Sequence, residues 1–444
     1  MQRKEGASFM KKFFLVVILA FALCVTSCGI KTTESLTICT EPEYTPIINT
    51  LISCYNKVYP EVEFKILTLP SEAEEREAAI KRIQTQTMAG EGPDIFLLPA
   101  QYESDDIESR EPLFSNINKV MSSGVLLDLT PYLEEDKSFQ RENYQKAILQ
   151  SGVYEGKQYV LPLCYQIPVL FLKENVASAI HLEEKVSSWS FEELQKFMSG
   201  QSDPGIHYIG CAWNRMTTQD YLASCIDYPN KDLQLSEKDI FEILSSEQRF
   251  LEKYPIYEKA LKENMGYLAE NAVLLEDPRD GVYPQETEDY ETGVFLLQKN
   301  KEGKVLGRVA VYTAVSRTCA FPEEAFQFVK LFLDPGFQSG DFLTIKTKDN
   351  KPLSGIYDQV FHKNIPICKD AWTEWMQHQS SYSIPEDAFA SFKKAVDYVD
   401  HGILCSEVDH YTYNLLKPLY EGDGINLEET AEVLYEFYDK TAKE

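Results

Sequence analysis

The sequence predicts an α/β protein built as two lobes, and three observations carry that expectation. Residues 88–98, Met-Ala-Gly-Glu-Gly-Pro-Asp-Ile-Phe-Leu-Leu, end a polar helix on glycine and begin a wholly apolar strand. A strand without polar alternation must be covered on both faces, as in the middle of a parallel sheet flanked by helices. Residues 36–98 follow a β-α-β-α-β order, which is how a doubly wound sheet is assembled. The chain has 444 residues, more than one hydrophobic core organises.

Leu36-Thr37-Ile38-Cys39 reads as the first strand, with Thr40-Glu41-Pro42-Glu43-Tyr44 as the loop at its carboxyl end. Ile47, Ile48, Leu51, Ile52 and Tyr55 recur at helical spacing, and that helix ends before Tyr59-Pro60. Residues 62–67 form a second strand. Ser71 with Glu74 is a capping box for the next helix, whose apolar face is Ile80, Ile83 and Met88. Gly90 suits a left-handed cap, and Gly92-Pro93 forbids continuation. Asp94 is a structural residue at the strand entrance. Ligands of such sheets gather beyond the carboxyl ends of the strands, here Pro99, Ala100, Gln101 and Tyr102.

Residues 116–123 read as a helix closed by Gly124, and residues 126–130 lead into another. Residues 152–162 hold two short strands joined at Glu155-Gly156, a dipeptide suited to a tight hairpin turn, and Pro162 ends the second. Residues 163–168 finish on a second proline and form a short, stiff connector suited to crossing between lobes, followed by a strand over 169–172. Ser190 and Glu193 cap a further helix. Residues 208–213 are a buried strand ending in Trp213, residues 220–227 a helix beside it, residues 228–268 mainly helical, and residues 277–291 a long acidic loop. Residues 305–313 are again apolar strand; Pro322 opens a strong helix and Pro335-Gly336 stops it. From Trp372 onward the pattern is helical, ending with residues 427–443.

Met10-Lys11-Lys12, the apolar run 13–23 and Val25-Thr26-Ser27-Cys28 have the anatomy of an export signal. The run falls short of the roughly 20 residues of a membrane-spanning helix. It resembles a bacterial lipoprotein signal, which implies cleavage before Cys28, lipid on the Cys28 thiol, and a body held on the extracytoplasmic face of the cell membrane. Removing Arg3, Lys4, Lys11, Lys12 and Glu5 with this leader leaves 39 basic against 69 acidic groups. A field of that sign argues against nucleic acid and anionic lipid surfaces as partners. Eight cysteines remain beyond Cys28 without framework spacing, mostly inside apolar runs where a thiol acts as a small buried hydrophobe. No Cys-x-x-Cys or His-x-x-x-His spacing occurs, so no metal or cofactor is expected.

Three stretches then carry a family resemblance: residues 89–98 with their Gly-x-Gly-Pro-Asp-Ile core; residues 124–133 followed by 154–162; and residues 314–333, ending in Glu-Glu-Ala-Phe-x-Phe-Val-Lys-x-Leu. With the lipobox, the chain resembles the extracellular solute-binding lipoproteins of ABC importers, in the group that includes maltose-binding protein. The resemblance implies a periplasmic-binding-protein-like fold whose lobes close about a multi-crossing hinge on a solute. The expected organisation is a signal over 1–27, a lipidated tether over 28–35, an amino-terminal lobe of 36–163 plus about 305–345, and a carboxy-terminal lobe of 169–304 plus about 350–444. It further implies permease transmembrane subunits as partners and a monomeric body.

On matching positions, Glu41, Tyr44, Gln101, Tyr102, Tyr165 and Gln166 would line the amino-terminal wall, and Trp213, Gln219 and Tyr221 the other. Trp372 and Trp375 fall where relatives place an aromatic platform. The residue types agree with a sugar or oligosaccharide: flat rings meet the C–H faces of a pyranose, and planar amides or carboxylates pair with its hydroxyls. Two departures are visible, the absence of a tryptophan-bearing strand pattern over 251–273 and Val311-Tyr312-Thr313-Ala314-Val315 where many relatives have a glycine-rich loop. The competing readings are a lipid-anchored sensor or adhesion protein on the same fold, and a surface glycoside hydrolase. The hydrolase is the weaker, since carboxylate pairs carry no information among 70 acidic residues and no nucleophile elbow or phosphate-binding loop occurs.

Overall fold

The computed structural model describes residues 34–100, 110–167, 169–173, 186–190, 193, 196, 218–253, 272–275, 293–340, 364–378, 386–404, 406–420 and 423–443. Strands β1 (Glu34–Thr40), β2 (Val62–Thr68) and β3 (Ile95–Pro99) alternate with the helices Thr45–Tyr55 and Ala73–Ala89, as the sequence pattern requires. β1 lies between β2 and β3 and is parallel to both. Every residue of β3 is buried. Asp94 ties β3 to β1 at the entrance: its carboxylate accepts from Thr37 N at 2.8 Å, and its own N–H donates to the Thr37 carbonyl at 2.9 Å.

Then come the hairpin β4 (Val153–Tyr154) and β5 (Lys157–Gln158), β6 (Val160–Gln166), β7 (Val169–Lys173), β8 (Val186–Trp189), and the hairpin β9 (Ile226–Asp227) and β10 (Asp232–Leu233). β11 (Ala272–Leu275), β12 (Gly293–Gln298), β13 (Val305–Val315), β14 (Ile365–Pro366) and β15 (Val399–Ile403) complete the described strands. The main sheet has seven strands in the order β14-β6-β13-β3-β1-β2, with β15 also paired to β13. A second sheet runs β11-β7-β12-β8.

The main sheet is mixed rather than parallel, because β13 returns antiparallel between β6 and β3. Burial pattern reports that both faces are covered and is silent on direction. The expected end of a strand at Pro162 is also corrected: β6 runs through it to Gln166. Its missing N–H coincides with an irregularity in the β6–β13 register between Val311 and Tyr312, where a ladder bond is not needed. Residues 163–166 are therefore strand, and the chain leaves this sheet only after Gln166.

Helix ends follow their signals unevenly. Gly90 closes Ala73–Ala89 at φ +79° and Ser190 and Glu193 form a reciprocal capping box at 2.8 and 3.1 Å. The Ser71–Glu74 box is not made, because the helix starts at Ala73 with Glu72 as its cap and no side-chain cap bond. Pro335 stops the helical segment opened by Pro322 and then opens the short helix Pro335–Ser339, whose amino end is held by the Asp334 carboxylate.

The buried side chains sort into two cores. The first covers the main sheet and takes in Trp372, Trp375, Phe392 and Val396; the second is built on Tyr221, Leu222, Ile240, Leu244, Val408, Leu416, Leu434 and Tyr438. Among the described residues beyond 364, Ile365, Ile367 and Ala395 also pack in the first core and Ala431 and Ala442 in the second. β13 and β15 serve both: Leu306 and Ile403 belong to the second core, Val305, Val309, Val399 and Leu404 to the first. At this crossing Gly307 faces Gly402 across the parallel ladder. A Cβ on Gly307 would stand 2.6 Å from Val399 Cγ1, and one on Gly402 2.7 Å from the Ala147 carbonyl oxygen. Only two hydrogens at these positions let the helix Lys146–Gln150 lie against the crossing strands.

Candidate functional site

The carboxyl ends of β1, β3 and β6 gather along the amino-terminal half of β13. Val309 is opposite Tyr165, Val311 is opposite Pro99, and Ala100 N donates to the Ala310 carbonyl at 2.8 Å. This is the edge of an α/β sheet at which ligands collect, since loops there are free to project side chains and helix ends. Gln101 and Tyr102, which follow β3, lie outside the described residues, as does Trp213.

Glu41, the first residue beyond β1, is spent on structure. Its carboxylate is fully buried and takes both arms of the Arg76 guanidinium, Oε1 from Nη2 at 2.6 Å and Oε2 from Nη1 at 3.0 Å. Arg76 also donates to the Glu111 carbonyl at 2.8 Å and the Pro70 carbonyl at 3.1 Å. One guanidinium therefore pins the ends of β1 and β2 and the segment returning at residue 111 into a single rim. The expectation of a ligand contact at Glu41 is corrected to a scaffold role, and Arg76 is the partner that sequence reading missed. Burial, with the Glu41 charge beside it, pushes the Cys39 thiol up to about 12, so that cysteine is held protonated.

Tyr44 is buried in the one-turn helix Pro42–Tyr44, and Tyr165 is buried at the crossing with its ring over Gly307. Gln166, at the end of β6, is half-buried. Trp372 and Trp375 are 2% and 0% exposed. Trp372 donates from Nε1 to the Pro366 carbonyl at 2.8 Å, and both indoles pack on Phe392. They are core residues of the first lobe, not the expected platform; indole size made them conspicuous in the sequence, and size is what a core also selects. Tyr221 likewise lies in the second core.

The helix Asp220–Ser224 is tied to the same strand. Asp220 reaches β13 through an ion pair with Arg308 at 3.1 Å, with side chains only 1% and 5% exposed. Thr218 and Gln219 directly precede it in the chain. Thr218 and Gln219 are 0% and 1% exposed, and the Thr218 hydroxyl and both ends of the Gln219 amide make no hydrogen bond. Leaving such buried groups unbonded costs about 1–3 kcal/mol each, which makes them groups that a ligand's donor and acceptor could satisfy. Thr218 carried no signal in the sequence; Gln219 came from the resemblance.

The described cysteines, Cys39, Cys54, Cys164, Cys225, Cys319 and Cys368, are all buried, as their apolar settings suggest. Among the described residues no group of three His, Cys, Asp or Glu side chains is placed to hold a metal ion, and no helix is long and apolar enough to cross a membrane. Cys28 lies outside the described residues.

No family model and no curated sequence matches the chain. Solved structures do match. The sugar-binding protein MalE from the phytopathogen Xanthomonas citri aligns with a TM-score of 0.58 at 12% identity, over 92% of this chain and 97% of that one. An extracellular solute-binding protein family 1 member from Alicyclobacillus acidocaldarius aligns at 0.56 with 14% identity, over 94% and 100%. An ABC substrate-binding protein from Listeria monocytogenes, solved in complex with cycloalternan, aligns at 0.53 with 14% identity, over 92% and 99%. The fold is that of the MalE-like solute-binding proteins.

Proposed function

We propose that this chain is the solute-binding component of an ABC import system, tethered through lipid on Cys28 at the extracytoplasmic face of the cell membrane. It captures a sugar or oligosaccharide between two closing lobes and hands it to the permease's transmembrane subunits. The observation that carries this reading is the buried pair Thr218 and Gln219, whose side chains make no hydrogen bond and which directly precede the Asp220 paired with Arg308 on β13. A carboxamide asks for a donor and an acceptor in one plane, which adjacent hydroxyls of a pyranose supply. Gln166 at the end of β6 adds a second amide. Cycloalternan in the Listeria protein supports a carbohydrate cargo.

The test is a thermal-shift screen of the protein from Gly29 onward against neutral oligosaccharides, uronates, amino acids, polyamines and metal ions. A ligand at 100 times its dissociation constant adds about 2.7 kcal/mol of stability. A shift confined to one carbohydrate class is the expected result. A shift with amino acids or polyamines alone would replace the substrate, and release of reducing ends from any glycan would replace the function. The anchor has its own test: Cys28→Ala should move the protein from the membrane fraction to the medium, and continued membrane retention would remove the lipid.

A further inference from the structure

Thr218 and Gln219 stand on the helical turn that runs on into Asp220–Ser224, and Gln219 has helical φ and ψ without a side-chain cap bond. A tertiary contact ties that turn to the sheet. Arg308 lies on β13, the strand shared by both cores, one residue after the Gly307–Gly402 step, and its guanidinium meets Asp220 in the first turn of the helix. Buried ion pairs seldom add net stability over an apolar pair, and their best attested use is to fix one arrangement among several.

We propose that Arg308 and Asp220 are the positioning pair of the binding site. They lock the start of this helix to the crossing strand and so set the tightness with which Thr218 and Gln219 hold a sugar. Because the two charges are opposite and buried against each other, the pair adds no net charge to the wall. This rests on the reading of the protein as a sugar-binding component, and it adds a role to two residues that do not themselves touch the solute.

The experiment compares wild type with Asp220→Asn, Arg308→Lys and the apolar double variant Arg308→Met/Asp220→Leu. Amide exchange over residues 218–225, melting temperature, and calorimetric affinity for maltotriose and mannotriose are measured on each. Asp220→Asn should speed exchange in that segment and weaken sugar binding about tenfold, as the ion pair that orients the wall is lost. Arg308→Lys, which keeps the charge and loses the fork, should fall between. The double variant should recover the melting temperature without recovering affinity, which a purely structural pair would not do. Wild-type affinity in the double variant, or unchanged exchange over 218–225 in Asp220→Asn, overturns the proposal while leaving the sugar-binding reading intact. Wild type responding to no carbohydrate class in the thermal-shift screen overturns that reading, and this inference with it.

Discussion

Arg76→Met removes a guanidinium and keeps the apolar stem of its side chain. Four donated contacts go with it, two to Glu41 at 2.6 and 3.0 Å and one each to the carbonyls of Pro70 and Glu111. Both side chains are essentially sealed, at 1% and 0% exposure, so water cannot take over the role of Arg76 at the Glu41 carboxylate. Breaking one side of such a pair costs about 3–5 kcal/mol, most of it the penalty of a buried charge that has lost its counter-ion. The double variant Arg76→Met/Glu41→Leu removes that penalty and should regain most of the loss, because apolar replacements of buried pairs are often neutral. Equilibrium unfolding in urea, extrapolated linearly and followed by far-ultraviolet circular dichroism, measures both. A single variant within about 1 kcal/mol of wild type, or a double variant no better than the single, would refute the claim that this pair holds the rim together.

Gly402→Ala drives a Cβ to 2.7 Å from the Ala147 carbonyl oxygen and should cost about 1–3 kcal/mol by overpacking, read as a lowered melting temperature; a neutral result would show that the crossing tolerates a wider gap. Trp375→Ala should cost about 3–5 kcal/mol as a core cavity while leaving sugar affinity in place, and a selective loss of affinity would return this indole to the ligand wall. Burial, aided by the Lys304 charge, holds the His401 imidazole below its ordinary value of 6.5, against Glu302, Asp400 and Asp227. Acid therefore protonates the unfolded chain first, so the stability His401 contributes is whole above that ordinary value and is lost as the pH falls through it. His401→Asn should flatten the dependence of unfolding free energy on pH between about 7 and 5, and an unaltered slope would assign the dependence to other groups.

The amino-terminal sheet was legible because its signals are local. Gly90 and Gly124 close helices at positive φ where the pattern ends, and the unbroken apolar run of β3 is buried throughout. What escaped was long-range. Nothing in Val305–Val315 says that it runs antiparallel between β3 and β6, and β15, with Asp400, His401 and Gly402 in its middle, has no apolar run to betray it. Pro162 misled because a proline excludes a ladder bond, yet a strand can continue where the register already skips one. In the site, Gln219 was named through the family resemblance, and the structure buries its amide. Residue type misassigned Glu41, Trp372 and Trp375, since charge and aromatic size serve a core as readily as a ligand. Arg76, Arg308 and Asp220 act through partners 35 and 88 residues away, and no spacing rule announces such pairs.

The central claim is that a carbohydrate completes the hydrogen bonding of Thr218 and Gln219. Calorimetric titration of the responding sugar into wild type, Thr218→Val and Gln219→Leu tests it most directly. Each replacement removes a buried group that is unbonded without ligand, so each should raise or preserve the melting temperature of the free protein while weakening the sugar by about 1–3 kcal/mol. Opposite signs on stability and affinity are the predicted result. Variants that bind the sugar as tightly as wild type would place the ligand elsewhere and contradict the account.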